Sequence, residues 1–267
     1  MYCKLCFRTM GAILLLTLFT SCLSVSSSTA STSLDGLKAT ATAELASMVG
    51  LTGLTQKARF KVLYTQVMYV GGYGGGTFAL EEGQGLVWKT VTTDEDGNTT
   101  SVTAERALLK NLPDGDEWWY LGWDNGTDKW EYEVLMDANQ KSKKIRFYNS
   151  DLQRVEEAEF NSKLSLGSGS DDAAPASGAI AGINWKDLTS YIQGTEKITV
   201  GAGTYQAQKL DYTVKTSSSE TSYTWWTNSD VPGELIKYAW IKTGTKSVNS
   251  GELAAIKKGY TTKFSSY

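Results

Sequence analysis

The chain has 267 residues, with 26 Lys and Arg against 29 Asp and Glu, three Cys and no His. Without His it can form no Ser–His–Asp triad, no Cys–His dyad and no imidazole metal site. All three Cys lie within the first 22 residues, so the body has neither a disulfide framework nor a cysteine-held metal. The slight negative charge disfavours a nucleic-acid partner. We therefore expect a protein that is not an enzyme and has no metal, cofactor or nucleic acid.

The first 21 residues have the pattern of a secretory signal peptide. Lys4 and Arg8 precede an apolar run over residues 10–19. A helix needs about 20 apolar residues to cross a bilayer, and this run is much shorter. We expect the segment 1–21 to be a cleaved leader.

The order Leu18-Phe19-Thr20-Ser21-Cys22 resembles a bacterial lipobox. The resemblance implies that Cys22 is the lipid attachment site and that acyl chains hold the protein on a membrane. The family prefers Leu at the position of Phe19, and an ordinary signal peptide with an incidental Cys is the alternative. Acylation would explain an unpaired thiol in an exported protein. Leu23, rather than Asp, follows the Cys, which favours the outer membrane of the bacterial envelope and leaves open which face.

The body begins with a tether and a helix. Residues 22–33 are rich in Ser and Thr and are expected to form a lipidated, flexible tether. Residues 34–267 are expected to form a single β-rich domain. Apolar residues at helical spacing predict a helix over 34–49. From residue 57 the period becomes two, and the same strand face is predicted for Phe60, Val62, Tyr64, Met68 and Val70.

Alternation continues to the C-terminus. On the segment from Trp130 to Met136, apolar and acidic residues alternate, which predicts antiparallel strands with one buried and one wet face. A Gly-rich stretch, residues 71–76, is predicted to be a flexible hairpin or bulge because it lacks the sequence of a phosphate loop. Residues 163–179 are expected to be a mobile loop joining halves 34–162 and 180–267. A short helix is predicted from Asn184 to Ile192, and a helical turn or two over 250–260.

The second half carries a resemblance. Residues 198–210 read Ile-Thr-Val-Gly-Ala-Gly-Thr-Tyr-Gln-Ala-Gln-Lys-Leu, and residues 223–237 read Tyr-Thr-Trp-Trp-Thr-Asn-Ser-Asp-Val-Pro-Gly-Glu-Leu-Ile-Lys. This order of turns and aromatic strands resembles exported bacterial proteins of the LolA/LolB-like and related uncharacterised barrel families. It covers about a quarter of the chain. It implies a mainly β fold, which is a curved antiparallel sheet or unclosed β-barrel with two or three short covering helices. It also implies that the concave face of this sheet accommodates a hydrophobic ligand.

Tryptophan supplies the candidate binding residues. The adjacent pairs Trp118-Trp119 and Trp225-Trp226 must send one ring to each side of a strand. The expected ligand-binding residues, which could equally be plain core residues, are Trp118, Trp119, Trp225, Trp226, Tyr238 and Trp240.

Three functions compete on this evidence. A membrane-anchored binding module for a lipid, an acyl chain or another hydrophobic molecule is favoured, and it requires a deep apolar cavity. A surface interaction protein or adhesin, with sugar bound on exposed aromatics, is the alternative. A hydrolase using Glu131 and Glu133 is least favoured, since only their spacing of about 7 Å on one strand face suggests it. The oligomeric state stays open.

Overall fold

The computed structural model describes residues 55–160, 178–215, 220–244, 247–264 and 267. The predicted leader, Cys22, the tether and the helix at 34–49 lie outside the described residues, as do residues 163–177 of the expected loop. All described residues belong to one compact unit. In the part of the chain that is described, no helix is both long and apolar enough to span a membrane.

Eleven antiparallel strands form one sheet in the described residues, in the order β6-β5-β4-β3-β2-β1-β11-β10-β9-β8-β7. One α-helix, α1 (Gln56–Met68), precedes them, and two 3-10 turns cover Val70–Gly72 and Thr189–Tyr191. The strands are β1 Gln84–Thr93, β2 Thr99–Asn111, β3 Glu117–Asp124, β4 Lys129–Met136, β5 Ser142–Asn149, β6 Arg154–Glu159, β7 Ile192–Val200, β8 Gly203–Lys215, β9 Glu220–Thr227, β10 Leu235–Lys242 and β11 Val248–Lys258.

The sheet curls without closing. The turn between β7 and β8 folds back onto β11, where the amide of Ala202 donates to the carbonyl of Leu253 at 3.0 Å, although β9 and β10 separate β8 from β11 in the sheet. β6 and β7 remain as the two edges. The predicted mainly β, unclosed fold is confirmed, with one α-helix in the described residues rather than two or three.

The strand predicted from Phe60 to Val70 is wrong, because residues 56–68 form α1. Thr55 caps the helix, its hydroxyl accepting from the amide of Ala58 at 3.2 Å. Phe60, Tyr64 and Met68 are four residues apart, so they satisfy a period of two and a helical period equally. Leu63 and Val67 are buried as well, although a strand would turn them to the side opposite Phe60. Together with Phe60, Tyr64 and Met68 they form one apolar face of a helix, so only the helical period fits.

Two predicted helices are also wrong. The side chain of Asn184 accepts from the amide of Lys186 at 3.2 Å in a turn, and Ile192 already begins β7. Residues 250–258 belong to β11, which pairs with both β1 and β10. The Ala and Lys residues of this segment prefer a helix, but pairing with a strand on each side stabilises the extended conformation more.

Different parts of the chain pack against the two faces of the sheet. The side that packs on α1 is here called the concave face, and it holds the main core, which every strand of the sheet except β6 supplies. On the opposite, convex face a smaller cluster lies under Tyr260. The C-terminal segment, defined as residues 260–264 and 267, contacts this face. The smaller cluster consists of Ala107, Leu109, Trp118, Tyr120 and Leu135.

The expectation of one wet face is wrong for β4, because the C-terminal segment covers its convex side. Glu133 is fully buried there. One of its carboxylate oxygens accepts from the amide of Lys263 at 2.6 Å, and the other accepts from the hydroxyl of Thr262 at 2.8 Å. Arg146 lies 3.9 Å from the same carboxylate. The acidic residue is therefore an anchor for another segment rather than a solvated side chain.

Candidate functional site

An aromatic cavity lies on the concave face, beneath the C-terminal end of α1. This inner cavity has a volume of about 90 Å³, and its walls include Tyr69, Trp123, Tyr223, Tyr238 and Trp240. An apolar cavity of about 150 Å³ is known to hold benzene, so the inner cavity admits a short apolar group but not a whole lipid. The deep hollow expected from the sequence is mostly filled, because α1 packs into the concave side.

A wider opening adjoins the inner cavity. This outer cleft has a volume of about 590 Å³, and Tyr64, Phe78 and Trp185 supply aromatic walls. Its rim includes residues 139–141 of the turn between β4 and β5. The volume falls within the range of about 300–1,000 Å³ that is usual for small-molecule sites.

The Gly-rich stretch separates these two spaces. Gly71 and Gly72 have φ angles of 61° and 72°, in the left-handed region, and side chains at these positions would collide with Tyr238 and Ile180. The carbonyl of Gly71 accepts from the indole of Trp225 at 2.9 Å. The predicted flexible hairpin is thus a close-packed wall, and its run of glycines reflects the close approach of backbone to aromatic rings.

A buried cation fastens α1 to the sheet. Arg106 on β2 points to the concave side, where its guanidinium donates to the carbonyl of Val67 at 3.4 Å and to that of Met68. Burial lowers the pKa of Arg106 to about 10. Carbonyls at a helix C-terminus carry partial negative charge, so they partly offset the buried cation. Sequence analysis missed this residue, although an Arg between the apolar Ala104 and Leu108 on the same strand side was a readable signal.

The structure gathers four of the six predicted binding residues on the concave side. Tyr238 and Trp240 line the inner cavity. Trp225 stacks on Tyr223 with ring centroids 5.6 Å apart and an interplanar angle of 13°. Trp119 contacts Phe78, a wall of the outer cleft, edge to face at 5.6 Å.

The other two predicted residues lie away from both spaces. Trp118 belongs to the convex cluster, so the prediction that the pair at 118–119 spans both sides of its strand is confirmed. Trp226 is half-buried on the other side of β9 from Trp225, and its indole donates to Glu196 at 2.5 Å. Neither ring lines the inner cavity or the outer cleft.

Glu131 and Glu133 hold the C-terminal segment. Burial tends to raise the pKa of Glu131, but hydrogen bonds from Lys263, at 2.8 Å, and from Tyr120, at 2.6 Å, outweigh it and lower the pKa to about 2. A glycosidase pair needs one carboxyl whose pKa is raised so that it can act as an acid. Glu131, with its lowered pKa and its bonds to Lys263 and Tyr120, therefore does not have the properties of such an acid.

No family model matches the chain, and no curated protein matches it either. Solved structures do align. A candidate lipoprotein from Parabacteroides distasonis is 13% identical, covers 66% of this chain and 96% of its own, and has a TM-score of 0.33. A candidate exported protein from Bacteroides fragilis is 11% identical, with 67% and 97% covered and a TM-score of 0.33. A candidate outer-membrane lipoprotein-sorting domain from Vibrio parahaemolyticus is 8% identical, with 75% and 93% covered and a TM-score of 0.30.

These neighbours are of the kinds that the sequence resemblance names, namely exported proteins, lipoproteins and lipoprotein-sorting domains. At such TM-scores the likeness is partial, and the function has to come from the residues of the site.

Proposed function

We propose that this protein is a lipid-anchored protein of the bacterial cell envelope that binds a hydrophobic ligand on its concave face, without catalysis. The deep apolar cavity expected from the sequence is not the support, because α1 fills most of the concave side. The observation that supports the proposal is the small inner cavity beside the open outer cleft, which would hold most of the ligand. Buried aromatic walls favour an apolar guest, because each Å² of apolar surface removed from water contributes about 25 cal/mol.

The electrostatics of the inner cavity agree with an uncharged guest. None of its lining residues carries a charge at neutral pH. Burial raises the pKa of Tyr238, so its hydroxyl stays protonated. Placing an ion in such surroundings without a partner is costly, which favours an uncharged occupant.

The alternative, a surface protein that stacks sugars on exposed aromatics, has less support. All nine Trp lie in the described residues, and none of them is exposed. The half-buried rings are those of Trp130, Trp185 and Trp226, which lie on three separate elements. A flat stacking platform needs neighbouring exposed rings.

A fluorescence titration tests the binding proposal. N-phenyl-1-naphthylamine, a neutral apolar dye, is expected to bind the purified protein with increased emission. Ala104 is buried and lines the inner cavity, so Ala104→Leu fills that space. The dye is too large for a space of about 90 Å³, so the variant is compared through dodecanol, which displaces the dye from the outer cleft and whose chain end can enter the inner cavity. We expect about tenfold weaker dodecanol binding, equivalent to about 1.4 kcal/mol, with unchanged or higher thermal stability.

The matched control is Ala239→Leu. Ala239 is half-buried on β10 and lines neither cavity. Dodecanol binding that Ala104→Leu and Ala239→Leu leave equally intact would refute the concave site.

The membrane anchor is tested separately. Cells fed a clickable palmitate analogue are expected to label the wild-type protein but not Cys22→Ala. Sucrose-gradient fractionation should then place the labelled protein in the outer membrane. Labelling that persists in Cys22→Ala would overturn the assignment of the acylated residue, and recovery with the inner membrane would overturn the location.

A further inference from the structure

One side chain, Tyr69, lies between the two spaces on the concave side, next to the Gly-rich stretch that separates them. It follows α1 directly and lines both the inner cavity and the outer cleft. Its ring contacts Phe78 at 6.3 Å and Tyr64 at 6.1 Å between centroids. Because the ring lines both spaces, an alkyl chain that reaches from the outer cleft into the inner cavity would pass beside it.

Polarity changes along this path. At the rim of the outer cleft lie the exposed residues Asn139, Gln140 and Lys141, one of them charged. The inner cavity has uncharged walls, in which aromatic rings such as Tyr238 and Trp240 stand beside the polar Thr90, Thr92 and Asn249. A guest that matches both ends has a polar head and an apolar tail. Its tail would point inward and its head would remain at the solvent-exposed rim.

The charge at the rim indicates the kind of head. Of the described residues that line either space, Lys141 is the only charged one, and none is acidic. Asp137, in the same turn, accepts through one carboxylate oxygen from the amides of Asn139 and Lys141, at 2.9 Å each, and its charge partly offsets that of Lys141. Glu234, behind the Gly-rich stretch, accepts from the hydroxyl of Tyr73 at 2.9 Å. Among the described residues, Lys141 is thus the one cation in the lining of the cleft.

We propose that the outer cleft and the inner cavity form one site for a single-chain anionic amphipath, a molecule with one alkyl chain and a carboxylate or phosphate head. The head binds Lys141 at the rim, and the end of the chain passes Tyr69 into the inner cavity. This assignment rests on the proposed function and adds to it the charge and the orientation of the ligand.

A competition experiment with three probes of equal chain length tests the head group. Dodecanoate, dodecyl phosphate and dodecanol each displace N-phenyl-1-naphthylamine from the purified protein. We expect both anions to bind more tightly than dodecanol, and the tighter anion identifies the head that the rim prefers. Equal affinity of all three would overturn the anionic assignment while the proposed function stands. Failure of all three to displace a bound dye, or of the dye to bind, would count against the proposed function itself.

Variants of Lys141 make the test specific. Lys141→Ala should weaken binding of the two anions about threefold to fivefold, as for a solvent-exposed ion pair, and should leave dodecanol unchanged. Lys141→Arg should retain the preference for anions. The control is Lys89→Ala, because Lys89 is an exposed lysine of β1 that lines neither space. An equal loss in Lys89→Ala, or an unchanged preference in Lys141→Ala, would overturn the role of Lys141.

A variant of Tyr69 tests the path of the chain. Tyr69→Ala removes the ring between the two spaces, so it should shift the preferred chain length of a saturated fatty acid upward. The measurement is the ratio of hexadecanoate to octanoate affinity in the variant and in the wild type. An unchanged ratio, in a variant that still binds the neutral dye, would overturn the proposed route.

Discussion

The two tryptophan pairs start from the same geometry and end in different surroundings. In each pair, one ring enters the concave core, as Trp119 and Trp225 do. The other ring leaves on the opposite side of its strand. Trp118 is 2% exposed there, with the guanidinium of Arg146 at 3.7 Å over its ring, whereas Trp226 stays half-buried.

Trp118 is more buried than Trp226 because a segment distant in sequence packs over it. On the convex face, Tyr260 packs against the cluster that contains Trp118, and Glu131 and Glu133 hold Thr262 and Lys263. Trp226 packs against the edge of the main core, its indole donates to Glu196, and the ammonium of Lys237 lies 5.3 Å from its ring, which together leave it half-buried. Alternation along a strand fixes the direction of a side chain, but its burial depends on which segment returns to cover it.

The largest loss of unfolding free energy is expected in the pair Trp225-Trp226. Trp225→Ala removes a fully buried ring together with its stacking on Tyr223, and should lower the free energy of unfolding by about 3–5 kcal/mol. Trp226→Ala should cost about 1 kcal/mol or less, because its ring is half-exposed. Urea denaturation measures both, and equal losses would contradict the contrast between the two rings.

A somewhat smaller loss of unfolding free energy is expected when the anchor of the C-terminal segment, Glu133, is removed. Glu133→Ala leaves the amide of Lys263 and the hydroxyl of Thr262 without their acceptor and Arg146 without a nearby buried charge. We expect a loss of about 3 kcal/mol. Glu159→Ala, at an exposed position of the edge strand β6, is the control and should change stability by about 0.5 kcal/mol at most.

Removing the buried cation of the concave side, Arg106, should lower the free energy of unfolding by less. Arg106→Met keeps an apolar stem but deprives the carbonyls of Val67 and Met68 of their donor, which should cost about 1–3 kcal/mol. Amide hydrogen exchange should accelerate in the last turn of α1 more than in β9. Uniform acceleration throughout the sheet would show that Arg106 does not act on the helix end.

The smallest effect is a dependence on pH. The pKa of Glu131 falls from 4.5 to about 2 in the folded protein, so the ionised carboxylate contributes stability above pH 4.5. That contribution is lost as the pH falls from about 4.5 through about 2. Glu131→Gln should flatten the acid limb of a plot of unfolding free energy against pH. An identical acid limb in the variant would show that other groups produce it.

Local chemistry made part of this structure readable from the sequence. Alternation and turn residues predicted antiparallel strands, and the strand period placed the rings of Trp118 and Trp119 on opposite sides. That the sheet is unclosed was implied by the family resemblance. The segment at α1 was misjudged because residues spaced by four satisfy two periods at once. The strand β11 was misjudged because its partners β1 and β10, rather than its own preferences, determine its conformation.

The candidate site was harder to predict. Tyr238 and Trp240 were expected at a binding site, but Tyr69, Lys141 and Arg106 were not. These three residues come from the end of a helix, a hairpin turn and a central strand, and only the curl of the sheet brings them to the same side. The Gly-rich stretch did carry a signal, because consecutive glycines indicate close approach of backbone to other groups.

The most direct test of the concave site is where a bound alkyl chain ends. Dodecanol with a ¹³C-labelled terminal methyl group, added to the purified protein, can be located by intermolecular nuclear Overhauser effects. The account predicts contacts from that methyl group to the ring protons of Tyr238 and Trp240. Contacts to Trp118 or Trp226 instead, with none to the lining of the inner cavity, would contradict it.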